Sequence, residues 1–110
     1  MKDDTTTIAG IRQQIRDFSD ARGWRKGERS RNFTLALSIE AEELSKIFDK
    51  MYSENIESSQ DDPEKFGMLK DELADVFWYL CRICDRFDID LTEAVESKAK
   101  KNAEKYPLED

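Results

Sequence analysis

The sequence contains no histidine. That absence excludes Ser-His-Asp and Cys-His nucleophile pairs, His-ligated zinc hydrolysis and the Glu-x-x-His ligand sets of di-iron bundles, so carboxylates must carry most of any chemistry. Cysteine is nearly as scarce. Cys81 and Cys84 lie three apart in an apolar run, with no second pair to complete a four-ligand zinc site, and read as reduced core thiols. No apolar stretch approaches the ~18 residues that suggest a membrane span. Met1 to Thr7 is polar and charged rather than basic and then apolar, so a soluble cytoplasmic protein is expected. Basic charge is also in short supply: 18 Lys and Arg against 25 Asp and Glu leave a net charge of -7. A general nucleic-acid binder needs a basic face to displace counterions, so that class is disfavoured. An acidic chain that binds phosphates needs a metal ion.

What remains is a chain of 110 residues, 38% hydrophobic and 39% charged. It is long enough for one domain, residues 1–110, with one core. At that size the buried fraction of the surface is limited, which makes association between chains an expectation.

Apolar residues recur at helical period. Ile8, Ile11, Ile15 and Phe18 predict a helix over Thr5 to Arg22, stopped by Gly23. Gly23 to Ser30, with two glycines, Trp24 and three basic residues, reads as an irregular loop with exposed cations. A second helix is predicted from about Asn32 to Met51, and the polar stretch Tyr52 to Asp62 as a mobile connection. Asp62-Pro63 opens a third helix as N-cap and first helical residue, and Phe66, Leu69, Leu73, Val76, Leu80, Ile83 and Phe87 carry it to Phe87. Asp90 and Glu93 have capping-box spacing for a fourth helix to about Lys105, ended by Pro107. No strand-like alternation appears, so the expected fold is all-α, a four-helix bundle.

On the second helix Phe33, Leu37, Leu44, Ile47, Phe48 and Met51 form an apolar stripe. Glu40 falls in its middle, one turn from Leu37 and Leu44, and Glu43 lies on its margin. A carboxylate buried there requires protonation, a cationic side chain or a metal. The third helix carries Glu72, Asp75 and Tyr79 along one flank of its own stripe. If the two helices pack antiparallel, Glu40, Glu43, Glu72 and Asp75 can converge on one all-oxygen pocket, which suits Mg²⁺ or Mn²⁺ and the phosphates of a nucleotide. Two plainer explanations compete: Glu-x-x-Glu pairs as ordinary solvated helix decoration, or a buried ion pair with Arg12, Arg16 or Arg82. Opposite the third helix's stripe, Ala74, Trp78 and Cys81 form a second apolar face, covered either by another chain or by another helix of this one.

Leu37-Ser38-Ile39-Glu40-Ala41-Glu42-Glu43-Leu44, followed after a loop by Asp71-Glu72-Leu73-Ala74-Asp75-Val76-Phe77-Trp78-Tyr79-Leu80, resembles the MazG-like all-α nucleotide pyrophosphohydrolase family. Trp24, Arg31-Asn32 and Ser97-Lys98, Asn102 and Tyr106-Pro107 extend the resemblance over most of the chain, and the single-domain dCTP pyrophosphatase branch is nearest in length and layout. The resemblance implies that Glu40, Glu43, Glu72 and Asp75 hold Mg²⁺, with Mn²⁺ a possible substitute. Water then attacks the α-β phosphoanhydride of a nucleoside triphosphate, with Glu40 or Glu43 orienting or deprotonating it, in a housecleaning role. It further implies that Lys98 and Asn102 hold the nucleotide, that Asn32, Tyr79 and Tyr106 line its site, that Trp24 lies against the base, and that the chain forms a homodimer or homotetramer. Taken alone, Trp24 also fits a core anchor and Lys98 a solvated cation at the negative end of the last helix. Cytosine-selective members have a His in the first helix and a second Trp ending the second, where this chain has Ile15 and Lys50. The competing functions are a phosphoribosyl-ATP pyrophosphohydrolase and a non-catalytic acidic interaction module.

Overall fold

The computed structural model describes residues 1–24, 26 and 30–109, and within it the side chains of Ser30 and Arg31 are not described. Arg25 and Arg29 of the expected cationic loop therefore lie outside the described residues. Four helices follow one another, α1 (Ile8–Ala21), α2 (Ser30–Ser53), α3 (Pro63–Phe87) and α4 (Leu91–Lys105), and no strand occurs among the described residues. The all-α expectation holds.

Helix starts follow local chemistry. The Thr7 hydroxyl accepts from the Gly10 amide at 2.9 Å, so α1 begins at Ile8 rather than at Thr5. Asp62 accepts from the Lys65 amide at 3.1 Å with Pro63 next in line, and Asp90 accepts from the Glu93 amide at 2.9 Å. Each cap satisfies one of the orphan amides that open a helix.

The first three helices end alike. Gly23 (φ 67°), Asn55 (φ 55°) and Asp88 (φ 53°) adopt the left-handed conformation. The next amide then bonds back to the last turn: Trp24 N–H to Ser19 O, Ile56 N–H to Met51 O and Ile89 N–H to Cys84 O. Glycine takes that conformation freely, and Asn or Asp with modest cost. The geometry returns an apolar residue to the helix it has just left. At Ile56 it plugs the core, leaving 8% of that residue exposed. The Tyr52 to Asp62 stretch is accordingly not the mobile connection its polar composition suggests. Besides Ile56, the Asp61 carboxylate accepts from the amides of Glu57 and Ser58, and Lys65 Nζ lies 2.7 Å from Glu54 across the turn.

That turn sets α2 and α3 antiparallel. Glu54 meets Lys65, Ile47 and Lys50 lie beside Met68, Glu40 meets Glu72 and Asp75, and the Arg82 guanidinium lies 5.6 Å from the Phe33 ring centroid. Numbers fall on one helix as they rise on the other. α1 crosses a different face of α3. The Phe18 ring meets Trp78 edge-on at 5.3 Å, while Arg12 and Arg16 each reach Asp85 at 2.9 Å.

The core is small: Ile15, Ser19, Phe33, Met51, Ile56, Cys81 and Cys84. Cys81 and Trp78, expected on a second apolar face, are covered by α1 of the same chain, so that face is internal; Ala74 remains exposed. Conversely, Leu73, Leu80 and Phe87 of the expected core stripe are 48%, 37% and 52% exposed, as is 49% of Phe48. A helix has only so much circumference, and α2 and α1 occupy two sides of α3, leaving the third open. No residue of α4 is buried. The radius of gyration, 17.0 Å, exceeds the about 13 Å of a compact chain of this length.

Asp85 takes hydrogen bonds from both guanidiniums, and Arg12 also donates to Ile89 O at 2.9 Å, tying α1 to the α3–α4 corner. Burial works against ionisation of Asp85, but the Arg16 and Arg12 hydrogen bonds and charges outweigh it and hold the carboxyl below its ordinary range. Asp85→Ala is expected to cost about 3 kcal/mol, because it leaves two partly buried guanidiniums without their counter-charge. A depressed carboxyl contributes stability that is complete above its ordinary pKa and lost as pH falls through the folded-state value. The gap between wild type and Asp85→Asn in urea unfolding should therefore be larger at pH 7 than at pH 2.

Candidate active site

α2 presents Glu40 and Glu43 one turn apart, and α3 presents Glu72 and Asp75 with the same spacing. The antiparallel register brings three of these together: one oxygen each of Glu40, Glu72 and Asp75 lies within 4.8 Å of the others. Glu40 and Glu72 are half-buried and Asp75 is exposed. Glu43 stands one turn on, its Oε1 3.4 Å from Lys46 Nζ, and lines a groove that it shares with Glu72.

Among the described residues no cationic side chain forms an ion pair with Glu40, Glu72 or Asp75. Arg12 and Arg16, two of the candidate partners, are engaged by Asp85 instead. Arg82 donates to the Trp24 carbonyl at 3.3 Å and lies 5.9 Å from the Tyr79 ring centroid. The like charges answer one another by retaining a proton. A hydrogen bond shared with Glu72, then burial, then the charges of Glu72, Asp75 and Glu43 push the Glu40 carboxyl up to about 7. Burial, followed by the charges of Glu72 and Asp71, also raises Asp75, against a hydrogen bond with Glu40 that lowers it. Glu72 Oε2 is buried without a hydrogen-bond partner among the described residues. A buried acceptor left unpaired costs about 1–3 kcal/mol. Three hard oxygen donors, with no side-chain cation paired to them among the described residues and a further Glu72 oxygen buried beside them without a partner there, fit a divalent cation of the Mg²⁺ type.

A family model described as the MazG-like family matches residues 35–110, which hold all four carboxylates. The chain belongs to the MazG-like family. It is 32% identical over 102 residues to dCTP pyrophosphatase 1 of Mus musculus, covering 93% of this chain and 60% of that protein. It is 33% identical over 101 residues to dCTP pyrophosphatase 1 of Homo sapiens, covering 92% and 59%. The chain thus spans about 60% of the length of the curated relatives it matches. A crystal structure of a pyrophosphatase from Archaeoglobus fulgidus superposes with a TM-score of 0.74 at 35% identity, covering 92% of this chain and 93% of that one.

The other residues singled out in this MazG-like chain are more dispersed. Tyr79, half-buried, lies one turn beyond Asp75. Trp24 packs edge-on against Phe18 at 5.5 Å and is still 47% exposed, so it anchors the end of α1 and keeps an open surface. Asn32 is exposed on the first turn of α2. Lys98 and Asn102 lie on the fourth helix and Tyr106 caps its end, all three exposed, with no hydrogen bond or ion pair to the carboxylates among the described residues. Ile15, where cytosine-selective members have a His, is core, 4% exposed.

Sequence reasoning missed two features. Asp85 gave no signal, because nothing in a linear pattern says that Arg12 and Arg16 will meet it. The groove leading from the carboxylates was missed as well. It comprises a cavity of about 250 Å³ lined by Glu43, Lys46, Ile47, Lys50, Met68, Asp71 and Glu72 and a second of about 240 Å³ sharing Ile47, Lys50 and Met68. The i, i+4 spacing of Lys46 and Lys50 beside Glu43 was its one linear trace.

Because the folded-state pKa of Glu40 is raised, its protonated form contributes stability that is complete below the unfolded value and lost as pH rises through about 7. In EDTA, Glu40→Gln should melt a few degrees above wild type at pH 8 and at the same temperature near pH 4. Calorimetric scans across that range check it; a variant that melts lower than wild type at pH 8 would show that Glu40 is held by a partner other than its neighbouring carboxylates.

Proposed function

We propose that the chain is a divalent-cation-dependent nucleoside triphosphate pyrophosphohydrolase, cutting the α-β phosphoanhydride to give a nucleoside monophosphate and pyrophosphate. The observation that carries it is the convergence of Glu40, Glu72 and Asp75, one oxygen of each within 4.8 Å of the others. The MazG-like family and the likeness to pyrophosphatases support the bond that is cut.

In this reading Glu40, Glu72 and Asp75 hold Mg²⁺, with Glu43 beside them. When bound, the ion neutralises phosphate charge and polarises the phosphorus centre. The chain's own groups do the rest. Glu40 or Glu43 accepts a proton from the attacking water, whose oxygen bonds to the α-phosphorus as the bridging oxygen departs with pyrophosphate. Tyr79 and the open face of Trp24, on the α3 side beyond Asp75, supply an aromatic surface against which a base can stack. Lys98 and Asn102 are one turn apart on α4 and offer a point charge and an amide to the nucleotide.

Self-association fits the exposed stripe Leu73, Leu80 and Phe87, whose seven-residue spacing, with Val76 and Ile83 between and Leu69 before, is that of a helix–helix seam. It also fits a fourth helix none of whose residues is buried within its own chain.

Purified protein should release pyrophosphate from common nucleoside triphosphates with Mg²⁺ and lose that activity in EDTA. Glu40→Gln and Asp75→Asn should each lower turnover ~10²-fold or more with the helical signal retained. Wild-type rates in both variants, or equal rates in EDTA, would remove the carboxylates from the mechanism. Light scattering should give more than one chain per particle, and Leu80→Glu should lower that number.

A further inference from the structure

We infer that Lys50 is a specificity-determining residue. It reads the base in the groove beside the carboxylates, and it favours guanine, uracil and thymine, whose far edge carries a carbonyl oxygen, over adenine and cytosine, which carry an amino group in its place. The inference rests on the hydrolytic reading above and names the substrate class of that same site. The groove begins at Glu43 and Glu72 and runs along the α2–α3 seam to Asp62, Glu64 and Lys65. The carboxylates of Glu43, Asp62, Glu64, Asp71 and Glu72 line it against the ammoniums of Lys46, Lys50 and Lys65. That excess of negative charge repels phosphates. When the α-β bond lies at the carboxylate cluster, the part of the nucleotide that this groove accepts is therefore its uncharged end, the sugar and base.

The walls suit a flat ring. Ile47 on α2 and Met68 on α3 line both cavities and give apolar contact, with polar groups placed around them. Lys50 lines both cavities as well. Lys46 is held by Glu42 and Glu43 at 3.7 and 3.4 Å, and Lys65 by Glu54 and Asp62 at 2.7 and 3.2 Å. The Lys50 ammonium, by contrast, has no ion pair among the described residues. It lies seven residues beyond Glu43, about 10 Å along α2, and helical side chains lean toward the N-terminus, which turns it back over the groove. An ammonium only donates, so it bonds the carbonyl oxygen of guanine, uracil or thymine and opposes the amino group that adenine and cytosine present there. The ring N–H beside that carbonyl can donate to a lining carboxylate such as Glu64 or Asp71. Position 50 is also where the sequence departs from cytosine-selective members, which have Trp; a donor replaces an aromatic face. Trp24, whose carbonyl accepts from Arg82, is about 20 Å from Met68 along α3. It therefore stacks on a base seated here only as part of a second copy, in keeping with the self-association proposed above.

The experiment uses the full chain with Mg²⁺ and two readouts across the common bases. One is calorimetric binding of α,β-methylene nucleoside triphosphates, whose carbon bridge resists cleavage; the other is kcat/KM for pyrophosphate release from the matching natural nucleotides. Wild type should favour guanine over adenine and uracil over cytosine ~10-fold in each. Lys50→Met should bring both ratios to within ~2-fold of unity, and Lys50→Arg, which donates to the same oxygens, should keep them within ~3-fold of wild type. Binding ratios in Lys50→Met equal to those of wild type overturn the inference. So does a wild-type chain that binds the adenine or cytosine analogue more tightly than its guanine or uracil counterpart, or that binds none of them. Failure of the hydrolytic reading shows separately, as analogue binding without pyrophosphate release from any nucleotide, and the binding ratios still decide the role of Lys50.

Discussion

The antiparallel register of α2 against α3 is the constraint on which the rest depends. It places three carboxylates within 4.8 Å of one another, an arrangement that opposes folding at neutral pH unless a proton or a cation enters. The chain meets that cost with specific devices at the turn. Asn55 reverses the chain in a left-handed conformation, Ile56 seals the end of the core, Asp61 ties the loop to itself, and Lys65 bridges to Glu54. A slip of one residue would rotate Glu72 and Asp75 by ~100° away from Glu40. The connection is polar in composition and ordered in fact because it sets that register.

α3 is the hub. One side meets α2 and carries the carboxylates, a second meets α1, and a third presents Leu73, Leu80 and Phe87 to solvent. The α1 side is joined by an ion cluster as well as by packing: Asp85 draws Arg12 and Arg16 together, and Arg12 reaches on to Ile89 at the corner into α4. This division keeps the arginines away from the acidic site. Had they paired with Glu40, the site would be a buried salt bridge with no room for a cation. The electrostatics of the two α3 faces are thus complementary in purpose, one neutralised internally and one left open.

The open third face and an α4 without a buried residue go with a radius of gyration of 17.0 Å, well above that of a compact chain of this length. A groove runs from the carboxylates along the α2–α3 seam, lined by Ile47 and Met68 as well as by charged side chains. The proposed function follows from the carboxylate convergence that this register creates.

Much of this was legible in the residues. Helical periodicity, Asp62-Pro63, the Asp90 cap and the stop at Gly23 are local features, decided within a few residues of chain, and the four helices follow from them. Glu40 in an apolar stripe pointed to the site for a local reason too: a carboxylate there needs an answer wherever the stripe packs. What lay beyond the sequence depended on which faces meet. The period of α3 cannot say that α1 covers Trp78 and Cys81 while Leu73, Leu80 and Phe87 stay open, because both sides of the helix are apolar. Nor can it say that Arg12 and Arg16 go to Asp85 rather than to Glu40, since charge pairing is settled by distance in space. The sequence by itself determined the helices, their caps and the acidic pairs, through local hydrogen bonding and periodicity. Only the tertiary structure decided the partners, because burial and Coulomb energy act between surfaces that are far apart along the chain.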